Sequence, residues 1–153
     1  MDFVIIFFAK YLAWVLGAAL ILFIFLGDRK KRIYITIQAL IAGTISRFGI
    51  TELIRYFYDR PRPFEVIENA RQILEHDPGG SFPSGHAAFF FALAGTIFIY
   101  DKRWGTAFFL GAVFMGIARV MADVHWTSDI IGGAAVGIVS SFAVYFLYKV
   151  GRL

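Results

Sequence analysis

The sequence predicts an all-α integral membrane protein, a bundle of about five transmembrane helices with its polar site at the outer membrane face. Three observations point there. The 153 residues are 59% hydrophobic and only 17% charged, with a mean hydropathy of +0.69, whereas soluble domains run near half apolar and a quarter charged. The apolar residues gather into five runs. The loops between the runs alternate in charge.

The first run covers residues 3–26, with no basic stretch before it and no small-residue cleavage site, so no cleavable signal is expected. Lys10 lies some two turns inside it, where it either snorkels outward or serves as a substrate contact. Gly27-Asp28-Arg29-Lys30-Lys31-Arg32 follows, then a second run, 33–56, that encloses Arg47, either paired or snorkelling, and Glu52, a partner for Arg55 at i, i+3. A long polar stretch, 57–82, precedes the third run, 83–100. Asp101-Lys102-Arg103 leads to the fourth, 104–121, and residues 122–127 to the fifth, 128–148. Each run is long enough, or nearly so, to cross a bilayer, which takes about 20 residues. The glycines inside the runs, such as Gly132-Gly133 and Gly137, suit close helix packing.

The first and third loops and the tail carry eight bases, Arg152 among them, against Asp28 and Asp101, a net charge of +6, while residues 55–82 hold four arginines against five acids. The positive-inside rule puts the first and third loops and the C-terminus in the cytoplasm, and the N-terminus outside. The overall excess of +4 is then a topology signal and not a nucleic-acid footprint. With no cysteine in the chain, disulfides, thiolate metal sites and cysteine nucleophiles are excluded. The whole chain, 1–153, reads as one domain.

Arg55, Arg62, His86, Arg119, His125 and Asp129 stand at the outer ends of runs or in outer loops, although they come from three separate stretches. Ionisable groups at membrane helices are costly and usually functional, and a cationic cluster of this kind suits a phosphate group. In Ser81-Phe82-Pro83-Ser84-Gly85-His86, Ser84 caps a helix start and Gly85 leaves its backbone open to an anion. His86 is then either a proton donor to a phosphate ester oxygen or an incidental interfacial histidine. Asp129, four residues after His125, lies on the same helical face, where it orients a nucleophilic imidazole or merely satisfies a polar pair. His76, in Glu75-His76-Asp77-Pro78-Gly79-Gly80, reads as a turn residue or a headgroup contact.

These segments resemble the signature of the type 2 phosphatidic acid phosphatase superfamily. Arg55, six residues, then Arg62-Pro63; Pro83-Ser84-Gly85-His86; and Ala118-Arg119, five residues, His125, three residues, Asp129 match its three motifs in order and spacing, over 55–129. Arg55 stands for the family's lysine and Ala118 for its serine, and the family's usual first span is missing. The resemblance implies a phosphohistidine on His125, orientation by Asp129, and protonation of the leaving group by His86. It also implies phosphate held by Arg55, Arg62, Arg119 and the Ser84 and Gly85 amides, with no metal and no cofactor. The Asp59-Arg60-Pro61-Arg62-Pro63-Phe64 stretch is similar to the branch that converts undecaprenyl diphosphate to its monophosphate on the outer face of the bacterial cytoplasmic membrane. Phosphatidylglycerophosphate, phosphatidic acid and lipid A 1-phosphate are the alternative substrates. A haem protein using His86 and His125 as axial ligands, or a transporter, are the readings from other classes. Neither explains three arginines beside a His-Asp pair.

Overall fold

The computed structural model describes residues 2–70 and 72–151. Arg71 and Arg152, both counted in the loop charges above, lie outside the described residues. Five helices carry the architecture: α1 (Asp2–Phe25), α2 (Arg29–Phe57), α3 (Gly85–Tyr100), α4 (Lys102–Met121) and α5 (Thr127–Val150). No strand occurs among the described residues. Four of these helices are long and apolar enough to cross a membrane, and α3, at 16 residues, is shorter. Its position explains how it can be. It is apolar on every side, and a helix of that kind belongs in an interior; Ala88, Ala92, Ala94 and Ile97 are completely buried, against α2, α4 and α5.

Side-chain caps set where the helices begin. Asp28 accepts from Lys31 N at 3.2 Å and opens α2, so the basic residues Arg29–Arg32 are helical and α2 starts before its apolar run. Asp101 accepts from Arg103 N and Trp104 N and opens α4 in the same way. Ser84 departs from expectation. Its hydroxyl makes no capping bond at the start of α3 and has no hydrogen-bond partner among the described residues, while its backbone N–H is tied to the Asp129 carbonyl at 2.9 Å. The backbone anchor fixes the turn without the side chain.

Small residues bring α5 against α3. A Cβ added at Gly133 would lie 2.8 Å from Ala87 Cβ, and one at Gly137 would collide with the Ala88 carbonyl, so the packing expected of these glycines is what they do. Leu16, Leu20, Phe23, Ile35, Leu93 and Phe108 fill the interior on the other side. Trp14, Phe48, Leu53 and Leu147 are among many large apolar side chains left outside, as a lipid-facing surface requires.

At one end of the bundle Arg32 meets Asp101 at 3.5 Å, joining the first and third loops. At the other, Trp126 Nε1 donates to the Pro61 carbonyl and Arg62 to the Val124 carbonyl, joining the second and fourth. The second loop holds only a short helical turn, Pro63–Val66. Carboxylates brace the rest: Glu65 accepts from the amides of Arg62 and Gly79, and Asp59 from Gly80. Those bonds to the charged form hold the Glu65 carboxyl below its ordinary range. Two helices widen locally to π geometry, α1 at Phe7–Tyr11 and α2 at Ile45–Thr51. The widened turns contain Lys10 and Arg47.

Candidate active site

His125 lies in the loop between α4 and α5 and is 1% exposed. Its Nδ1 is 3.3 Å from Asp129 Oδ2, the one-turn spacing expected from the sequence. The same carboxylate accepts from Trp126 N at 2.8 Å, from Arg60 Nη1 at 2.9 Å and from the Ser81 hydroxyl. Four donors converging on one buried carboxylate keep it ionised and fixed. Asp129 in turn holds the proton of His125 on Nδ1 and leaves a lone pair on Nε2, 3.5 Å from Arg62 Nη1. Burial outweighs the carboxylate and pushes the His125 imidazolium down to about 3, so the ring is neutral near pH 7.

Arg62 is 3% exposed and is held by three carbonyls, Asp77 through Nε, Val124 through Nη1 and Gly80 through Nη2. Arg55 pairs with Glu52 at 3.0 Å, the i, i+3 partner expected, and donates to the Pro83 carbonyl; its Nε has no partner. Arg119 is different in kind. It is 4% exposed and, among the described residues, reaches only the Ala9 carbonyl at 3.4 Å and leaves Nε and Nη2 without an acceptor. A buried guanidinium with unmade bonds is expensive, and the unpartnered Ser84 hydroxyl adds another group free for an oxygen ligand.

His76 joins the groups together. Its ring packs edge-on to His125 at 6.0 Å between centroids, and it lines a cleft of about 720 Å³ with Lys10, His86 and Arg119. Burial and the neighbouring Arg62 and Arg119 lower His76 to about 4. The nitrogen Nδ1 of His86 lies 3.4 Å from Arg47 Nη1. Lys10 sits over the Tyr11 ring at 5.9 Å and touches the cleft from α1. Ala118, where the family signature has serine, is buried in α4 and offers no hydroxyl.

The sequence does not reveal Arg60 and Ser81 as partners of Asp129, and of its two alternatives for Arg47, paired or snorkelling, the contact with His86 fits the first without the sequence naming that partner. Arg60 had one legible sign, its place in Arg60-Pro61-Arg62-Pro63. Ser81 and Arg47 had none, because their partners are more than thirty residues away.

The PAP2 superfamily matches residues 36–151, about three quarters of the chain. The chain belongs to that superfamily. As a PAP2 protein it resembles the bacitracin transport permease protein BcrC of Bacillus licheniformis, at 28% identity over 94% of this chain and 70% of the relative. It also resembles an undecaprenyl-diphosphatase of Sulfolobus acidocaldarius, at 33% identity over 90% of this chain and 66% of the relative. Among solved structures, Aquifex aeolicus LpxE superposes with a TM-score of 0.76 at 27% identity, covering 94% of this chain and 84% of its own. The PAP2 match and the helical bundle together make this a membrane phosphatase of the lipid-phosphate class.

Proposed function

We propose that this single-domain chain removes the terminal phosphate of an isoprenoid diphosphate lipid, converting undecaprenyl diphosphate to undecaprenyl phosphate. The reading rests above all on Arg119, a buried cation whose Nε and Nη2 have no acceptor among the described residues, in the same cleft as His86 and His76. An in-line attack needs the remaining parts, and the residues supply them. The lone pair on His125 Nε2 attacks phosphorus, Asp129 keeps that ring in the reactive tautomer, and His86 protonates the bridging oxygen as its bond to phosphorus breaks. Arg55, Arg62, Arg119 and the Gly85 amide carry the charge on the equatorial oxygens, with the Ser84 hydroxyl beside them; the Ser84 amide, expected from the sequence to join them, is taken instead by the Asp129 carbonyl. Water then cleaves the phosphohistidine. Arginine charge does the electrostatic work that a metal ion does elsewhere.

Phosphate release by the purified protein from a panel of lipids, with EDTA present, tests this. Undecaprenyl diphosphate is expected to lead phosphatidylglycerophosphate, phosphatidic acid and lipid A 1-phosphate. No release from any of them, or release only with an added divalent metal, would overturn the reading.

Lys10 is the cation proposed for the second phosphate, reaching the cleft from α1. Lys10→Met is expected to reduce kcat/KM for the diphosphate about tenfold, and for a monophosphate lipid hardly at all, since an anion near a low-dielectric boundary needs a counter-charge. Equal effects on both substrates would return Lys10 to snorkelling.

The active end is proposed to face the periplasm or cell exterior of a bacterial cytoplasmic membrane, with the N-terminus out and the C-terminus in. The chain contains no cysteine, so single cysteines report cleanly. One at the exposed Asn69 is expected to react with an impermeant maleimide on intact cells, and one at Lys31 only after lysis. The opposite pattern would put the site in the cytoplasm.

A further inference from the structure

Arg47 is a cation beside His86 that the mechanism above leaves without a task. It sits in the widened turn Ile45–Thr51 of α2, a geometry that recurs at functional sites. Its guanidinium lies over the Phe48 ring at 5.2 Å, places Nη1 3.4 Å from His86 Nδ1, and forms no salt bridge among the described residues. The approach is built into α3, because a Cβ at residue 85 would stand 2.9 Å from Arg47 Nη1, and that residue is Gly85. Beside the pair runs a cavity of about 290 Å³, lined by Ala13, Phe48, Phe89 and Phe90, with Arg47 and His86 as its polar lining. A hydrocarbon chain leaving His86 on this side passes Arg47 first.

A guanidinium has only donors. Contact with Arg47 therefore requires a lone pair on His86 Nδ1, and the ring proton then sits on Nε2. The acid that can protonate a leaving oxygen and end neutral is the doubly protonated ring, which puts N–H against N–H at this contact. Arg47 and the acid form of His86 compete for one nitrogen.

We propose that Arg47 is a specificity-determining residue: it caps His86 in the free enzyme and transfers to the chain-proximal phosphate of a diphosphate substrate, which releases His86 to take a second proton. The proposal rests on the reading of His86 as proton donor. With Arg47 drawn away, Nδ1 takes a proton from solvent. As the bond from His125 Nε2 to phosphorus forms, the electrons of the breaking P–O bond pass to the bridging oxygen, which receives the Nε2 proton. The lipid monophosphate leaves, and neutral His86 now carries its proton on Nδ1. Its Nε2 lone pair is then placed to accept a proton from the water that attacks the phosphohistidine. A monophosphate lipid has no second phosphate to draw Arg47 off, and so turns over slowly.

The test measures undecaprenyl diphosphate and undecaprenyl monophosphate hydrolysis by the full chain in detergent micelles, both on the same preparation so that any unfolded fraction cancels in the ratio. Arg47→Met is expected to slow the diphosphate and to speed the monophosphate, lowering the ratio of their kcat/KM values about tenfold or more. Arg47→Lys, which keeps the charge and, like arginine, has only donors, is expected to retain most of the preference for the diphosphate. An unchanged ratio in Arg47→Met, or two rates that fall together, would overturn the proposal. His86→Ala separates the two levels of argument. If it leaves both substrates unaffected, the acid role itself fails; if it impairs turnover while the Arg47→Met ratio is unchanged, only the role of Arg47 fails.

Discussion

His125→Ala is expected to reduce phosphate release to the background of the assay, a larger loss than any other single substitution. In the proposed mechanism the other residues of the site bind or polarise the phosphate, and binding alone leaves residual catalysis, but none of them takes the covalent role. His76 is close, at 6.0 Å between ring centroids, yet among the described residues no carboxylate pairs with it as Asp129 pairs with His125. Rapid acid-free quench of the wild-type protein with labelled substrate is expected to trap an acid-labile, base-stable phosphoprotein that His125→Ala lacks. Full activity in the variant would remove the mechanism. The neutral state of His125 carries its own signature. With the imidazolium held down to about 3 by burial, against an ordinary value near 6.5, the reactive form persists as pH falls below 6.5 and is lost only on approach to 3. Nitrogen NMR of labelled imidazoles at pH 5 is expected to show His125 neutral in the free enzyme.

Asp129→Asn should follow closely, with kcat lowered by about 10³ to 10⁴ and KM nearly unchanged. The carboxylate serves donors on both oxygens, and an amide cannot. If the amide nitrogen takes the place of Oδ1, it points N–H groups at Arg60 Nη1, now 2.9 Å from a carboxylate oxygen. If it takes the place of Oδ2, it faces the amide of Trp126, the hydroxyl of Ser81 and Nδ1 of His125. Nδ1 must then accept, and the proton moves to the nucleophilic nitrogen. Either orientation also removes the negative charge that balances the positive charge of a phosphorylated imidazole. A loss smaller than tenfold would show that His125 is oriented by something else.

The groups that gather at the cationic end were legible because each is costly in a membrane and each keeps a fixed spacing within its own segment. His125 and Asp129 need only one helical turn to meet. Arg62 and Arg119 had to be read as convergent from their common position at helix ends. Helix boundaries were displaced for a definable reason: hydropathy marks where the chain is apolar, while Asp28 and Asp101 mark where it becomes helical. Ser84 shows the opposite failure, since a serine before a helix can cap it or keep its hydroxyl for another partner, and sequence does not separate these uses. The widened turns around Lys10 and Arg47 left no mark in composition. They shift side chains by a fraction of a turn, and only the packing of α3 against α2 reveals what that shift brings together.

The shortness of α3 governs how the enzyme meets its substrate. Sixteen residues make a rod of about 24 Å, against a hydrocarbon core about 30 Å thick, and His86 sits in its first turn. With His86 as the proposed acid, the chemistry is set down close to the depth of a lipid's phosphate while the lipid chain stays among neighbouring chains. A lipid phosphate then reaches His86 by lateral diffusion and never has to leave the bilayer. Encounter is a two-dimensional event, so the quantity that saturates the enzyme is the mole fraction of substrate in the membrane or micelle. Inert detergent added at fixed bulk substrate acts as a diluent of the reaction.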